Sequence, residues 1–351
     1  MVDKVEQWKG RLILRKKEFL CFILLFIAFG STSISIQQVF GQDKRSYETS
    51  TSINYKENMI ALIEQISTYA KTKNTGFTLI QNNGLDLFKS DDVTAIYSQR
   101  LAESVDGVLI EGLYYGGGSS HDYQKTKDNI RHKWERTLKI PQKYGLTILN
   151  VDYCGSNSDI ISKSVQMHKQ NKIIGFPASS YELDSIPRRW QIPGENDKDI
   201  VTLNQAENFL ILLNPGRFVN KQHYLKRLQD SNYDLLIIDY SYNAQPLSAE
   251  DVASLKTKKN GAARLVIAYL SVGEAEDYRS YWQKTWANQP PDWLTELNPD
   301  WQGNYKVKYW SKEWQNILYG SSSSYLDVIL AAGFDGIFMD VIDAYDYFEN
   351  I

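Results

Sequence analysis

Cysteine is nearly absent from this chain. There are two, Cys21 and Cys154, in 351 residues, so neither a disulfide framework nor a cysteine-rich zinc site can be built. Histidine is almost as scarce. His121, His132, His168 and His223 show no H-E-x-x-H or related spacing, so nothing points to a histidine metal site, and no metal or organic cofactor is expected. Excess charge is lacking too: 39 basic and 42 acidic residues leave a formal net charge of -3. A chain without a basic surplus has no electrostatic reason to bind a phosphate backbone, and no nucleic-acid partner is expected. The run Gly116-Gly117-Gly118 lacks the lysine and the helix start of a phosphate loop, so it reads as a flexible lip.

The N-terminus carries a targeting pattern. Lys4, Arg11, Arg15, Lys16 and Lys17 precede a nearly all-apolar run, Phe19 to Phe29, and a polar Ser/Thr stretch comes next. The run is short for a bilayer span. Val39-Phe40-Gly41 places a small residue at a cleavage point before Gln42. Residues 1–41 therefore read as a signal peptide, with an uncleaved N-terminal anchor as the alternative. Either way the remainder is expected to be secreted or held at the cell surface, with membrane contact only through this segment. Cys154 is then alone in the mature chain and is expected to be inert. Residues 42–54 read as a polar linker.

From residue 55 onward the chain is organised by periodicity. Tyr55 to Lys73 sets Met59, Leu62, Ile63, Ile66, Tyr69 and Ala70 at helical spacing. Short apolar runs then alternate with helical patterns. Strands are predicted at Phe77 to Ile80, Asp106 to Ile110, Leu146 to Val151 and Lys172 to Phe176, the last closed by Pro177. Residues 178–206 read as irregular. Strands resume at Phe209 to Leu213, Tyr233 to Ile238 and Arg264 to Leu270, and after Gly336. The helix predicted over Ser248 to Lys258 opens on Ser248 and Asp251, a capping box. Eight alternating units predict a (β/α)8 TIM barrel.

The strand ends carry the chemistry. Asn82, Glu111, Asp152, Asn214, Asp239, Glu274 and Asp340 all stand at the C-terminal side of apolar runs, where barrels of this class place their active sites. Some of the Asp and Asn residues are equally suited to cap the next helix. Glu111 is not, because Glu caps poorly. Two carboxylates at neighbouring strand ends are what glycoside hydrolysis needs. Periodicity does not single out which two.

Four stretches carry a family resemblance: Tyr233-Asp234 through Asp239; Ala268-Tyr269-Leu270-Ser271-Val272-Gly273-Glu274-Ala275-Glu276-Asp277-Tyr278-Arg279; Asn298-Pro299-Asp300-Trp301 with Tyr309-Trp310; and Gly333-Phe334-Asp335-Gly336 through Tyr345. They resemble the TIM-barrel domain of glycoside hydrolase family 114, the endo-α-1,4-polygalactosaminidase-like family. The resemblance implies a retaining glycosidase acting on α-linked galactosamine polymers, with Asp340 as nucleophile and Glu111 as acid/base. Asn82, Tyr115, Asp152, Asp239, Tyr269, Glu274, Glu276, Tyr309, Trp310 and Asp343 are then expected to contact the polysaccharide. The family order is exchanged here. Within a single barrel over residues 55–351, residues 206–351 resemble the first half of the family barrel and residues 55–187 the second. The chain therefore reads as a circular permutant, preferred over joined tandem copies because the eight strands complete one ring.

Residues 277–315 contain Trp282, Trp286, Trp293, Trp301, Trp310 and Trp314. Most are expected to form the insert's own core, leaving Tyr305, Tyr309 and Trp310 as sugar platforms. Two rivals to the enzyme reading stand: a carbohydrate-binding barrel without catalysis, and a structural protein of the cell envelope.

Overall fold

The computed structural model describes residues 53–89, 95–117, 123–187 and 191–351. The segment read as a leader, residues 1–41, lies outside them, as does most of the linker. Eight parallel strands form the central sheet: β1 (Thr78–Asn82), β2 (Gly107–Glu111), β3 (Thr147–Tyr153), β4 (Ile174–Ala178), β5 (Phe209–Leu212), β6 (Leu235–Ile238), β7 (Leu265–Ser271) and β8 (Gly336–Asp340). Each strand lies beside its neighbours in the chain, and the last pairs with the first. Thr78 to Gln81 stand opposite Gly336 to Met339. Between β4 and β5 no strand hydrogen bonds form. The rings of Phe176 and Phe209 meet across that seam with centroids 5.8 Å apart. The result is a nearly closed (β/α)8 barrel, the fold class that the alternation predicts.

The strands read as unbroken apolar runs because both faces are covered, by barrel filling inside and helices outside. Leu235, Leu236, Ile237 and Ile238 are all fully buried. The helix layer comprises α1 (Tyr55–Lys73), α2 (Ala95–Ser104), α3 (Asp128–Lys143), α4 (Ser158–Asn171), α5 (Lys221–Gln229), α6 (Ala249–Leu255), α7 (Lys312–Leu318), α8 (Tyr325–Ala331) and α9 (Tyr345–Glu349). The bounds of α1 are those its periodicity predicts. Asn54 caps its start by accepting from the Glu57 amide, and Met59, Leu62, Ile63, Ile66 and Ala70 are fully buried. Polar contacts fasten α1 on both sides. Arg100 of α2 makes a forked pair with Glu64 at 2.8 and 2.6 Å. Tyr69 donates to Asp327 of α8 at 2.6 Å. Lys56 bonds Glu349 of α9 at 2.8 Å.

Two local expectations are corrected. Pro177 does not close its strand; β4 continues through Ala178, pairing Pro177 with Asp152. A proline lacks the amide a central strand needs, and β4 tolerates it because its other side is the open seam. The capping box of Ser248 and Asp251 forms, but α6 ends at Leu255, three residues short. The insert after β7 folds on itself. Glu274–Glu276, Asn304–Val307 and Leu294–Leu297 form a small antiparallel sheet. Trp282, Trp286, Trp293 and Trp314 run behind it in a chain of ring contacts of 5.1 to 5.2 Å.

Gly336 shows how tightly β8 is seated. A Cβ there would lie 2.1 Å from the Thr78 carbonyl oxygen and 2.8 Å from the Ile267 side chain. Gly336→Ala is expected to lower the free energy of unfolding by about 1–3 kcal/mol. Chemical denaturation of the purified variant checks this, and an unchanged midpoint contradicts it.

Candidate active site

Three adjacent strands end in polar side chains: β8 in Asp340, β1 in Asn82 and β2 in Glu111. Asn82 occupies the middle place. Its side-chain amide donates to Asp340 Oδ1 at 2.7 Å and to Glu111 Oε1 at 2.8 Å. One nitrogen thus bridges the two carboxylates, and the two accepting oxygens cannot be further apart than those lengths combined. Glu111 accepts further bonds from the Asn83 side chain at 3.4 Å and, on its other oxygen, from the Tyr153 hydroxyl. Asp340 accepts from the Val341 amide at 2.8 Å. Burial, and then the charge of Glu111, push the Asp340 carboxyl up to about 6. Burial, the Glu111 charge and the Glu111 hydrogen bond hold the Tyr153 hydroxyl well above its ordinary value, so it serves as a donor.

The pair opens on a cavity of about 430 Å³ at the C-terminal mouth of the barrel. Asp239, Tyr269, Glu274, Glu276 and Asp343, all named from the sequence, line it with Asp340, Glu111 and Asn82. Three of these carboxylates are already paired. Arg279 bonds Glu276 at 2.6 Å and Asp239 at 2.7 Å. Its guanidinium lies 5.1 to 5.5 Å from the ring centroids of Tyr240, Tyr269, Tyr278 and Tyr325. Glu274 accepts from Lys306 at 2.6 Å, Asn298 at 2.8 Å and Asn304 at 3.2 Å. Burial still raises the Glu276 carboxyl, despite Arg279. Asp343 lines the mouth as an exposed residue, and the surrounding protein and then the charge of Asp340 push its carboxyl up to about 6. Among the described residues Glu111, Asp340 and Asp343 have no cationic partner.

Five residues expected at the substrate are placed elsewhere. Asp152 is fully buried beneath the loop after β2. It accepts from the Tyr114 and Tyr115 amides at 2.9 and 3.1 Å, and from Asn150 and Ser164. Burial alone would raise its carboxyl; His168, Asn150 and Ser164 outweigh that and hold it below the ordinary range. Successive strand residues face opposite ways, so Tyr153, not Asp152, reaches the cavity. Tyr115 is buried with its amide on Asp152 and does not line the cavity. Tyr309 is fully buried and donates to the Tyr55 carbonyl at 2.8 Å. Trp310 packs on Tyr55 and Phe348, with centroids 5.1 and 4.7 Å apart. Tyr305 lies against Trp282 at 4.9 Å and also stays off the cavity lining. The aromatic walls are instead Trp301, which is 52% exposed, Tyr278, and Tyr181 stacked on Tyr153 at 4.0 Å. Tyr181 belongs to a stretch read as irregular, where no sequence period marks it. Among the described residues no group of three His, Cys, Asp or Glu side chains is arranged to hold a metal ion.

Residues 195–351 match the model of glycoside-hydrolase family GH114. This part of the chain is similar to GH114. The matched span contains β5 to β8, Asp340 and the Arg279 cluster, and it begins in the connection that crosses the seam. Glu111, Asn82 and Tyr153 come from outside it. An uncharacterized protein of Methanocaldococcus jannaschii is 37% identical over 158 residues, 44% of this chain and 43% of the relative. An uncharacterized protein of Thermotoga maritima is 35% identical over 148 residues, 40% of this chain and 44% of the relative. One of Deinococcus radiodurans is 41% identical over 130 residues, 37% and 39% of the two chains. The similarity thus spans less than half the length of these curated relatives.

The proton affinity of Asp340 has a measurable consequence. An unfolded Asp titrates near about 3.9. With a folded value of about 6, the folded protein binds the proton more tightly. The resulting stability is present below the unfolded value and is lost as pH rises through about 6. At pH 7 the ionised carboxylate therefore opposes folding. Asp340→Asn is expected to be more stable than the parent at pH 7, by on the order of 1–2 kcal/mol, with the gap closing toward pH 4. Denaturation curves at both pH values test this; equal stability at pH 7 contradicts it.

Proposed function

We propose that this protein is an exported glycoside hydrolase that cuts an α-linked, galactosamine-type polysaccharide with a retaining two-carboxylate mechanism. The observation that carries the reading is the Asn82 bridge. It brings Asp340 and Glu111 together at the floor of an open cavity, closer to the roughly 5–5.5 Å spacing of retaining pairs than to the wider gap of inverting ones. The GH114 match over residues 195–351 supports the same class of chemistry. In the first step Asp340 attacks the anomeric carbon as the glycosidic bond breaks, and Glu111 gives its proton to the departing oxygen. In the second step Glu111 takes a proton from water, which displaces Asp340 from the anomeric carbon. Tyr153 and Asn83, both bonded to Glu111, hold that carboxyl in place through the exchange. The carboxylates of Asp340 and Asp343, which have no cationic partner among the described residues, suit a sugar that carries an ammonium group.

A second reading exchanges the two roles. It is favoured by the raised proton affinity of Asp340 and by the three side-chain donors that converge on Glu111, since donors favour the ionised form a nucleophile needs. Under either assignment the chain is taken as a circular permutant. What supports that is the seam between β4 and β5, where the family's chain ends would fall, and the seating of α1 between the last strand and the first. Export rests on the pattern over residues 1–41. Fractionation of cells expressing the tagged full chain tests it, and retention in the cytoplasm removes it.

Asp340→Ala and Glu111→Ala are each expected to lower hydrolysis of de-N-acetylated galactosamine polymer by about 10³-fold or more. Release of reducing ends measures this, and turnover that survives either change rejects the pair. Azide rescue on an activated aryl α-galactosaminide then assigns the roles. The nucleophile variant should yield the β-glycosyl azide and the acid/base variant the α-azide. The opposite pattern selects the second reading.

A further inference from the structure

Glu111 has a second open side. Asn83, Glu111 and Asp343 line the main cavity and also a smaller one, of about 280 Å³. The smaller cavity lies between the loop after β1, the middle of α3 and the start of α9. Its own walls are Asp86, Lys133, Trp134, Tyr345 and Asp346, over a floor that includes Leu85 and Ile110. Glu111 therefore stands on a ridge between two hollows, with Asp340 on the side of the main cavity. An enzyme acting within a polymer needs room for sugar on both sides of the bond it breaks. A hollow near the lower limit of ligand-site volumes suits one sugar unit.

We infer that this smaller cavity is a second sugar subsite. It takes the amino-sugar unit on the opposite side of the cleaved bond from the main cavity. The inference rests on the glycoside hydrolase reading. Of the two aromatic walls Tyr345 is buried, whereas Trp134 is only partly covered by the core, which leaves ring surface for a sugar to stack on. Charge selects the same ligand. Asp86, Glu111, Asp343 and Asp346 face one lining cation, Lys133, which reaches Asp86 at 3.4 Å across an exposed surface. The neighbouring Lys56 is engaged with Glu349 at 2.8 Å and lies 4.9 Å from the centre of the Tyr345 ring. The Asp346 carboxyl is raised by burial, and the nearby Asp86 and Glu349 add to this against Lys56 and Lys133. An ammonium group placed there relieves repulsion that Lys56 and Lys133 offset only in part. The subsite also draws on segments far apart in sequence, because Asp86 comes after the first strand and Asp346 after the last.

The test measures binding in the Asp340→Asn protein, so that ligand survives. Defined α-1,4-galactosamine oligomers of two to six units are titrated by calorimetry. Affinity is expected to rise at least tenfold from the shortest to the longest. Adding Trp134→Ala should remove about tenfold of that rise. Trp134→Phe should retain most of it, and Asp86→Asn with Asp346→Asn should lose it without removing the ring. Thermal unfolding of each variant confirms that the fold is intact. If the rise with length persists in both the Trp134→Ala and the double Asn variants, the subsite is wrong and the hydrolase reading stands. If no oligomer of any length binds the Asp340→Asn protein, the galactosamine reading itself fails.

Discussion

One amide holds the candidate site together. Asn82 places a single nitrogen within 2.8 Å of both Glu111 and Asp340, and every other feature of the mouth is arranged around that bridge. The bridge exists because β1 lies between β8 and β2. In a parallel barrel, neighbouring strands present their C-terminal ends at the same rim, so residues far apart in sequence meet there. Asp340 and Asn82 are 258 positions apart, and Asn82 and Glu111 are 29 apart. Burial raises the Asp340 carboxyl, and the charge of Glu111 beside it adds to the effect, so that Asp340 is pushed up to about 6.

The outer ring of the mouth serves a different purpose. Arg279 is clamped by Asp239 and Glu276 and boxed by four tyrosines, while Lys306 is clamped by Glu274. Buried charges of this kind are stable only when paired and hydrogen-bonded. They fix the small antiparallel sheet against β6 and β7 and leave little free charge of their own. The free negative charge is concentrated at the centre, on Asp340, Glu111 and Asp343. That division separates the residues that shape the cavity from those available to a ligand.

Much of this was legible in the chain. The bounds of α1, the capping box of Ser248 with Asp251, and the alternation into eight units come from local rules of periodicity and capping. Glu111 stood out because a glutamate after an apolar run has no capping excuse. Asp152 looked equally good and was misplaced, because a strand end presents two consecutive residues to opposite sides and strand length decides which faces inward. Here β3 ran two residues further than its apolar run, which turned Tyr153 to the cavity and Asp152 to the Tyr114 and Tyr115 amides. Tyr309 and Trp310 were misplaced for a related reason. An aromatic in a long insert packs wherever the insert folds, and these two were drawn under α1 and α9.

The sequence by itself determined the barrel class, most of the strand-end carboxylates and the content of the tryptophan insert. Those depend on apolar period and residue type, which are local properties. Only the tertiary structure decided which carboxylates share a hydrogen-bond donor, which are neutralised by Arg279 and Lys306, and that Glu111 faces two hollows. Those are properties of distance between segments, set by strand order and by how side chains compete for one rim.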